Sequence, residues 1–152
     1  MGIQRQKSFT FLGFDFGIKN VGVAVGQSIT KTATPLTIIN ATKNNNLWKE
    51  VAKLIKTWRP DALVVGVPLN MDGTPQEMTK ATRKFAQQLQ MTSGLPVYEV
   101  DERLTTKAAR EEVYRQGGYK ALQKKTIDSI AAQIILESWM REENKYSPIS
   151  TT

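Results

Sequence analysis

Carboxylate side chains stand at three separate points of this sequence where apolar segments end or begin. Asp15 lies near the end of the first apolar run, Asp101 and Glu102 follow the last short one, and Asp128 lies early in a long helical pattern. A charged group inside an apolar segment must be exposed, paired or bound to a cation. If these acids met in the folded chain they would repel one another, and a divalent cation would relieve the repulsion.

Each acid also has an ordinary structural explanation. The first could accept hydrogen bonds in the turn that follows it, and the last could stabilise a helix N-terminus through the macrodipole. The middle two could pair with Arg103 and Lys107 in a solvated turn. A shared site therefore requires that the fold bring all of them to one edge.

The composition limits the chemistry that such a site could perform. The chain has 152 residues with no His and no Cys, which excludes thiolate sites, disulfides and imidazole bases and fits a reducing compartment. Oxygen ligands alone select hard ions, so the site would hold Mg²⁺ or Mn²⁺. Two such ions about 3.5–4 Å apart are the standard device for attack of water on a phosphodiester.

Hydrophobic periodicity predicts the elements that carry the acids. Strands are predicted in the hairpin Phe9–Gly26, with its turn at Gly17–Asn20, and at Ala33–Ile39, Ala62–Val67 and Val97–Val100. Helices are predicted over Leu47–Trp58, from an N-cap at Thr74 with Glu77 closing a capping box, from Thr105 or Thr106 to Gln116, and from Ile127 onward. Trp48, Trp58 and Trp139 lie on the apolar faces of these helices and are predicted to be core.

The element order β-β-β-α-β-α-β-α-α predicts an α/β fold: a mixed five-stranded sheet with helices on both faces. Ligands of such sheets bind outside the carboxyl ends of the parallel strands, where the first and last predicted strands would deliver their acids. One domain is expected over residues 1–144, with a disordered tail over 145–152. Gly17, Gly66 and Gly73 are predicted to permit close backbone approach, and the loop Gly66–Gly73 could offer N–H groups to phosphate or be a plain turn.

The charge of the chain favours a polyanionic partner. The net charge is +7, with a pI near 9.7, and nucleic acid is the most general polyanion. A predicted phosphate-tracking groove comprises Arg103, Lys107, Arg110, Lys124 and Lys125, extended by Arg83. Glu111 and Glu112 interrupt this set, so part of it would also suit a solvated helix face. No apolar run is long enough for a membrane span, and the first residues lack the apolar core of a signal peptide.

Four segments together resemble a known family. FDFGIKNVGVAVG, VVGVPLNMDGT, DERLTT and DSIAAQIIL, in this order from about Phe11 to Glu142, are similar to the YqgF family. The resemblance implies an RNase H-like fold and a bacterial cytoplasmic protein of ribosome biogenesis. Members are described as nucleases that finish the 5′ end of pre-16S ribosomal RNA or as Holliday junction resolvases. It also implies metal-binding catalytic roles for Asp15, for Glu102 or its neighbour Asp101, and for Asp128.

Two positions depart from the better-known junction resolvases of this superfamily. Those enzymes carry an acid on the strand that corresponds to Ala62–Val67, where this chain has Gly66, and a second acid on the last helix, where it has Lys125. The smaller ligand set argues against junction resolution more than against hydrolysis.

Three hypotheses follow from these observations. The first is a Mg²⁺- or Mn²⁺-dependent nuclease that acts on precursor ribosomal RNA. The second is a resolvase of four-way DNA junctions, which would require a dimer, and the third is a non-catalytic module that binds ribosomal RNA or an assembling ribosomal particle. Both a monomer and a dimer remain open.

Overall fold

The fold was analysed in a computed structural model that describes residues 8–42, 46–104 and 124–142, without the side chains of 104 and 124–128. The described strands are β1 (Thr10–Phe16), β2 (Asn20–Gln27), β3 (Thr32–Asn40), β4 (Ala62–Val67) and β5 (Val97–Asp101). The described helices are α1 (Asn46–Trp58), α2 (Glu77–Ser93) and α3 (Lys124–Arg141), with a short 3₁₀ turn at Glu102–Leu104. The helix predicted to end at Gln116 and the tail predicted over 145–152 lie outside the described residues.

The strands form one mixed sheet in the order β3-β2-β1-β4-β5. The first three strands pair antiparallel, whereas β4 lies parallel to β1 and β5 lies parallel to β4. The carboxyl ends of β1, β4 and β5 therefore lie at the same edge, which we call the carboxyl edge. This arrangement confirms the predicted five-stranded α/β sheet.

Strand composition explains these positions in the sheet. All six residues of β4 are buried, as expected for a run of apolar residues that is covered on both faces. The outer strand β3 contains Pro35, which cannot donate to a further strand. Among the described residues, no helix is both long and apolar enough to cross a bilayer.

Two apolar cores cover the two faces of the sheet. On one face, α1 and α2 pack over the strands through Val51, Phe85, Ala86 and Leu89. On the other face, α3 packs through Ala132, Ile135, Leu136, Trp139 and Met140. The predicted placement of helices on both faces is thus confirmed.

Glycines in three strands allow α3 to lie unusually close to the sheet. A Cβ on Gly13 would lie 2.8 Å from Leu136 Cβ and 3.1 Å from the carbonyl oxygen of Ala132. A Cβ on Gly26 would meet the ends of Leu136 and Met140, and one on Gly66 would lie 2.4 Å from Ile135 Cδ1. At Gly13 a larger side chain would displace the helix itself, whereas at Gly26 and Gly66 it would displace the ends of side chains.

Two local predictions were wrong. The second helix begins at Glu77 with Gln76 as its N-cap, and the reciprocal capping bonds join Gln76 and Thr79. Thr74 is not the N-cap, because its hydroxyl and its backbone N–H both donate to Asp72 in the preceding loop. Trp58 is 38% exposed at the end of α1 and is not a core residue, unlike Trp139, which is buried.

The close approach of α3 generates a stability prediction. Gly13→Ala should destabilise the protein by about 1–3 kcal/mol, because the added methyl group meets backbone and Cβ atoms that can move only with the helix. Urea denaturation followed by circular dichroism would measure the change.

Gly26→Ala is the matched control beneath the same helix. Its methyl group would meet mainly the far ends of Leu136 and Met140, which can change rotamer. Gly26→Ala should therefore lower the free energy of unfolding by less than Gly13→Ala does. Equal losses would show that the helix does not constrain the sheet at Gly13.

Candidate active site

Asp15 lies one residue before the end of β1, at the carboxyl edge. Side chains alternate along a strand, so Asp15 shares its face with Phe11 and Gly13, beneath α3. Its cross-strand neighbour in the register is Gly22, which brings no side chain to that face. The carboxyl group of Asp15 therefore projects into space that the neighbouring strand leaves open.

Glu102 lies on the same face of the sheet as Asp15, but it extends from the end of the outer strand β5. It is the first residue after β5 and the first of the 3₁₀ turn. Its Oε1 lies 2.9 Å from the position that a Cβ on Gly66 would occupy, so its carboxyl group lies over β4, the strand between β1 and β5. A side-chain hydrogen bond joins Glu102 to Asp15. Two acids separated by 87 positions in sequence thus meet above Gly66.

Burial is the main cause that raises the pKa of Glu102 above the usual carboxyl range. The negative charge of Asp101 raises the pKa further, and the hydrogen bond with Asp15 opposes both effects. Because two carboxylates can only accept hydrogen bonds, the bond between them requires a shared proton. One of the two carboxyl groups therefore carries a proton wherever this hydrogen bond is formed.

Asp101, the alternative ligand, takes part in a different set of contacts. Its carboxylate accepts hydrogen bonds from Arg103 at Nε (3.0 Å) and Nη2 (2.6 Å) and from the Arg103 backbone N–H (2.9 Å). These contacts lower the pKa of Asp101. By strand alternation Asp101 lies on the face that carries Glu99, opposite α3. The structure therefore brings Glu102, and not Asp101, to Asp15.

The backbone of Asp128 lies in the first turns of α3, and its side chain is not among those that the structure describes. Along α3, Ala132 lies over Gly13 and Met140 lies over Gly26. Because Gly26 pairs with Phe11, the helix runs antiparallel to β1, and its N-terminal end points to the carboxyl edge. Asp128 precedes Ala132 by about one turn. No group of three or more potential ligand side chains occurs among the side chains that are described.

The predicted basic groove is described only in part. Arg103 is held by Asp101 and also donates from Nη1 to the carbonyl oxygen of Met71 (3.2 Å). Arg83 lies on α2, with its Nε 3.9 Å from Glu99, and is half exposed. Lys107 and Arg110 lie outside the described residues, as do the side chains of Lys124 and Lys125.

The predicted glycine positions have identifiable neighbours. A Cβ on Gly17 would lie 2.7 Å from the carbonyl oxygen of Asn20, so this glycine closes the hairpin turn. Gly73 has φ +88°, which favours glycine, and packs against the Arg103 guanidinium. The contact between Arg103 and the loop after β4 was not predicted, because no sequence pattern indicates a bond between positions 71 and 103.

Comparisons with known proteins agree with this architecture. The family model described as "RuvX: Holliday junction resolvase" matches residues 9–142. A protein of Shewanella oneidensis named "Putative pre-16S rRNA nuclease" is 54% identical over 130 residues, which cover 86% of this chain and 92% of the relative. A protein of the same name from Aeromonas salmonicida is 51% identical over 136 residues, which cover 90% of this chain and 97% of the relative.

Solved structures share the fold at low sequence identity. Thermus thermophilus RuvC, solved in complex with a Holliday junction substrate, aligns with TM-score 0.63 and 18% identity, over 93% of this chain and 99% of that one. The fowlpox virus resolvase, solved with junction DNA, aligns with TM-score 0.55 and 17% identity, over 88% and 98% of the two chains. The sheet order, the face taken by α3 and the match over residues 9–142 lead to one conclusion: this chain belongs to the RuvX family, also called YqgF, and has a RuvC-like RNase H fold.

Proposed function

We propose that this protein is a divalent-metal-dependent nuclease that hydrolyses phosphodiester bonds during maturation of the 5′ end of pre-16S ribosomal RNA. The observation that carries the proposal is the hydrogen-bonded pair formed by Asp15 and Glu102 above Gly66. A half-buried pair of acids is costly unless a proton or a cation neutralises it. Such a pair at a ligand-binding edge is more easily explained by function than by stability.

The donor set suits a hard cation. Asp15 and Glu102 offer carboxylate oxygens only, and the whole chain has neither His nor Cys. We propose Mg²⁺ or Mn²⁺ as the ion and Asp128, at the start of α3, as its third ligand. A bound ion would supply activation of the attacking water and stabilisation of the leaving oxygen.

The chain's own residues have separate tasks in this proposal. Asp15 is fixed by β1, and Glu102 is fixed by the turn after β5, so the two carboxyl groups are preorganised before substrate arrives. Ile135 and the closely packed part of α3 exclude water on one side of the pair. The basic residues Arg83, Lys107, Arg110, Lys124 and Lys125 would follow the phosphate backbone.

The substrate assignment comes from the relatives. Proteins about half identical to this chain over most of its length carry the name of a pre-16S rRNA nuclease. The excess of positive charge agrees with a large polyanionic substrate. We therefore propose an rRNA precursor, within assembling ribosomal particles or free of them, as the partner in a cytoplasmic reaction.

Resolution of four-way DNA junctions is the second candidate, and the description of the family supports it. A resolvase would be a dimer and would cut two strands symmetrically, so paired nicks in a synthetic junction would favour it over RNA maturation. Binding of rRNA that needs neither Asp15 nor a divalent ion would instead favour a non-catalytic binding module.

The first test removes the charge of one carboxylate. Asp15→Asn should lower cleavage of a pre-16S RNA fragment in Mn²⁺ or Mg²⁺ by at least about a hundredfold, because one ligand of the ion is lost. RNA affinity should change little. Gel assays of cleavage and filter binding would measure the two effects.

Asp61→Asn is the matched control. Asp61 accepts a hydrogen bond from the Thr10 backbone N–H at the opposite edge of the sheet, and an amide oxygen can still accept it. This variant should cleave like the wild type. Equal activity of wild type and Asp15→Asn would contradict the assignment of the site.

A second test uses the pH dependence of stability without metal. Because burial raises the pKa of Glu102, the folded protein binds the proton more tightly than the unfolded chain does. The contribution of this group is therefore favourable at low pH and is lost as the pH rises through the folded-state pKa. Glu102→Gln removes this loss of stability. A gain of about 1 kcal/mol in the free energy of unfolding at neutral pH should raise Tm by about 2–4 °C.

The gain should shrink toward about pH 4, where the unfolded-state group is also protonated. Thermal unfolding in EDTA at neutral pH and at about pH 4 would measure the gain in Tm. Glu77→Gln, at an exposed position, is the control and should show no gain. A Glu102→Gln variant that is less stable than the wild type at neutral pH would show that the carboxylate is satisfied by other contacts.

A further inference from the structure

The guanidinium of Arg103 already donates several hydrogen bonds within the protein. Its Nε and Nη2 donate to both carboxylate oxygens of Asp101, and its Nη1 donates to the Met71 carbonyl oxygen at 3.2 Å. Gly73 packs against the plane of the same group, where a Cβ would lie 3.3 Å from Nη1. Arg103 thus joins the end of β5 to the loop that follows β4.

That loop, Leu69–Pro75, is itself well defined. Its ends are bridged, and the Asn70 N–H donates to the Thr74 carbonyl oxygen (2.9 Å). The Gly73 N–H donates to Asn70, and Asp72 accepts from the N–H and the hydroxyl of Thr74. The loop is therefore a small rigid unit, and Arg103 connects it to the turn after β5.

Arg103 is also the residue next to Glu102. Asp101 and Arg103 pair on one side of the short 3₁₀ turn, whereas the carboxyl group of Glu102 points to Asp15 on the other side. Any rotation of the turn that releases Arg103 must also move Glu102. The contacts of Arg103 thus restrain the turn from which the Glu102 side chain extends.

We propose that Arg103 is a positioning residue: it fastens the loop Leu69–Pro75 to the Glu102 turn and holds Glu102 against Asp15, and it does not bind substrate phosphate. This inference rests on the proposed nuclease function and reassigns a residue that its charge alone places in the phosphate-binding groove. The Asp101 carboxylate and the Met71 carbonyl oxygen already accept hydrogen bonds from the guanidinium. These contacts require a planar, forked set of donors, which Lys does not provide.

The proposal is tested with Arg103→Lys, Asp101→Asn and the double variant. Arg103→Lys keeps the positive charge and loses the fork, and Asp101→Asn frees the guanidinium and leaves it available to substrate. Both should lower kcat for the pre-16S RNA fragment by about ten- to a hundredfold, through misplacement of Glu102. For Arg103→Lys, KM and the salt dependence of RNA binding should stay those of the wild type.

The double variant should be no slower than the slower single variant, because both changes break one unit. Arg141→Lys, a matched substitution in the last turn of α3, should change none of these quantities. A phosphate ligand would behave differently: Arg103→Gln would then lower the slope of log K against log salt by about 1, with kcat preserved. That result, or a wild-type kcat for Asp101→Asn, would overturn the proposal.

Hydrogen exchange supplies a readout that needs no activity. The amides of Asn70, Gly73 and Thr74 should exchange faster in Arg103→Lys and Asp101→Asn than in the wild type, while the amides of β4 stay protected and show that the fold is intact. Unchanged loop exchange would overturn the proposal even if kcat falls. A wild-type protein that cleaves no RNA would count against the nuclease function, and the exchange experiment would still decide whether Arg103 fastens the loop.

Discussion

The close contact between α3 and the sheet is the constraint on which the rest of the structure depends. Glycines at positions 13, 26 and 66 remove the side chains that would hold a helix away from the strands. The helix therefore packs through Ala132, Leu136 and Met140 directly onto backbone. With this packing fixed, the direction of α3 is fixed too, and its N-terminal end reaches the edge where Asp15 and Glu102 meet. Core packing and site geometry are consequences of the same contact.

The carboxyl pair opposes the stability that this packing provides. Burial next to a helix raises the pKa of Glu102, and the negative charge of Asp101 raises it further, so the charged form of Glu102 is unfavourable there. A fold selected only for stability would place apolar or amide side chains at these positions. The cost is limited because the two acids share a hydrogen bond, and because Asp101, the third acid nearby, forms an ion pair with Arg103 on the opposite face.

The sequence predicted the sheet because its signals are local and strong. The buried run of β4, the hairpin with its glycine turn and the alternation of strands and helices each depend on neighbouring residues, and they imply one topology. The placement of Asp15 at the carboxyl edge followed from that topology. The choice between Asp101 and Glu102 did not follow, since it depends on how the chain turns after β5.

The error at Thr74 has a similar origin. Thr74 has the residue type of an N-cap, but its hydroxyl donates to Asp72, and Gln76 and Thr79 form the cap instead. Arg103 likewise makes a contact with Met71, distant in sequence, that its residue type could not indicate. In both cases the fold brings near a partner that the local sequence pattern does not reveal.

Gly66 shows how the fold restricts the side chains that can lie beside Glu102. Junction resolvases of this superfamily, as the resemblance describes them, carry an acid on this strand. In this chain a side chain at position 66 would overlap Ile135 and the carboxyl group of Glu102. The acid therefore reaches the site from β5 and lies over β4, in the space that the glycine leaves free. A carboxylate could not be added at position 66 without displacing Ile135 and Glu102, so the close packing of α3 limits which side chains this part of the carboxyl edge can hold.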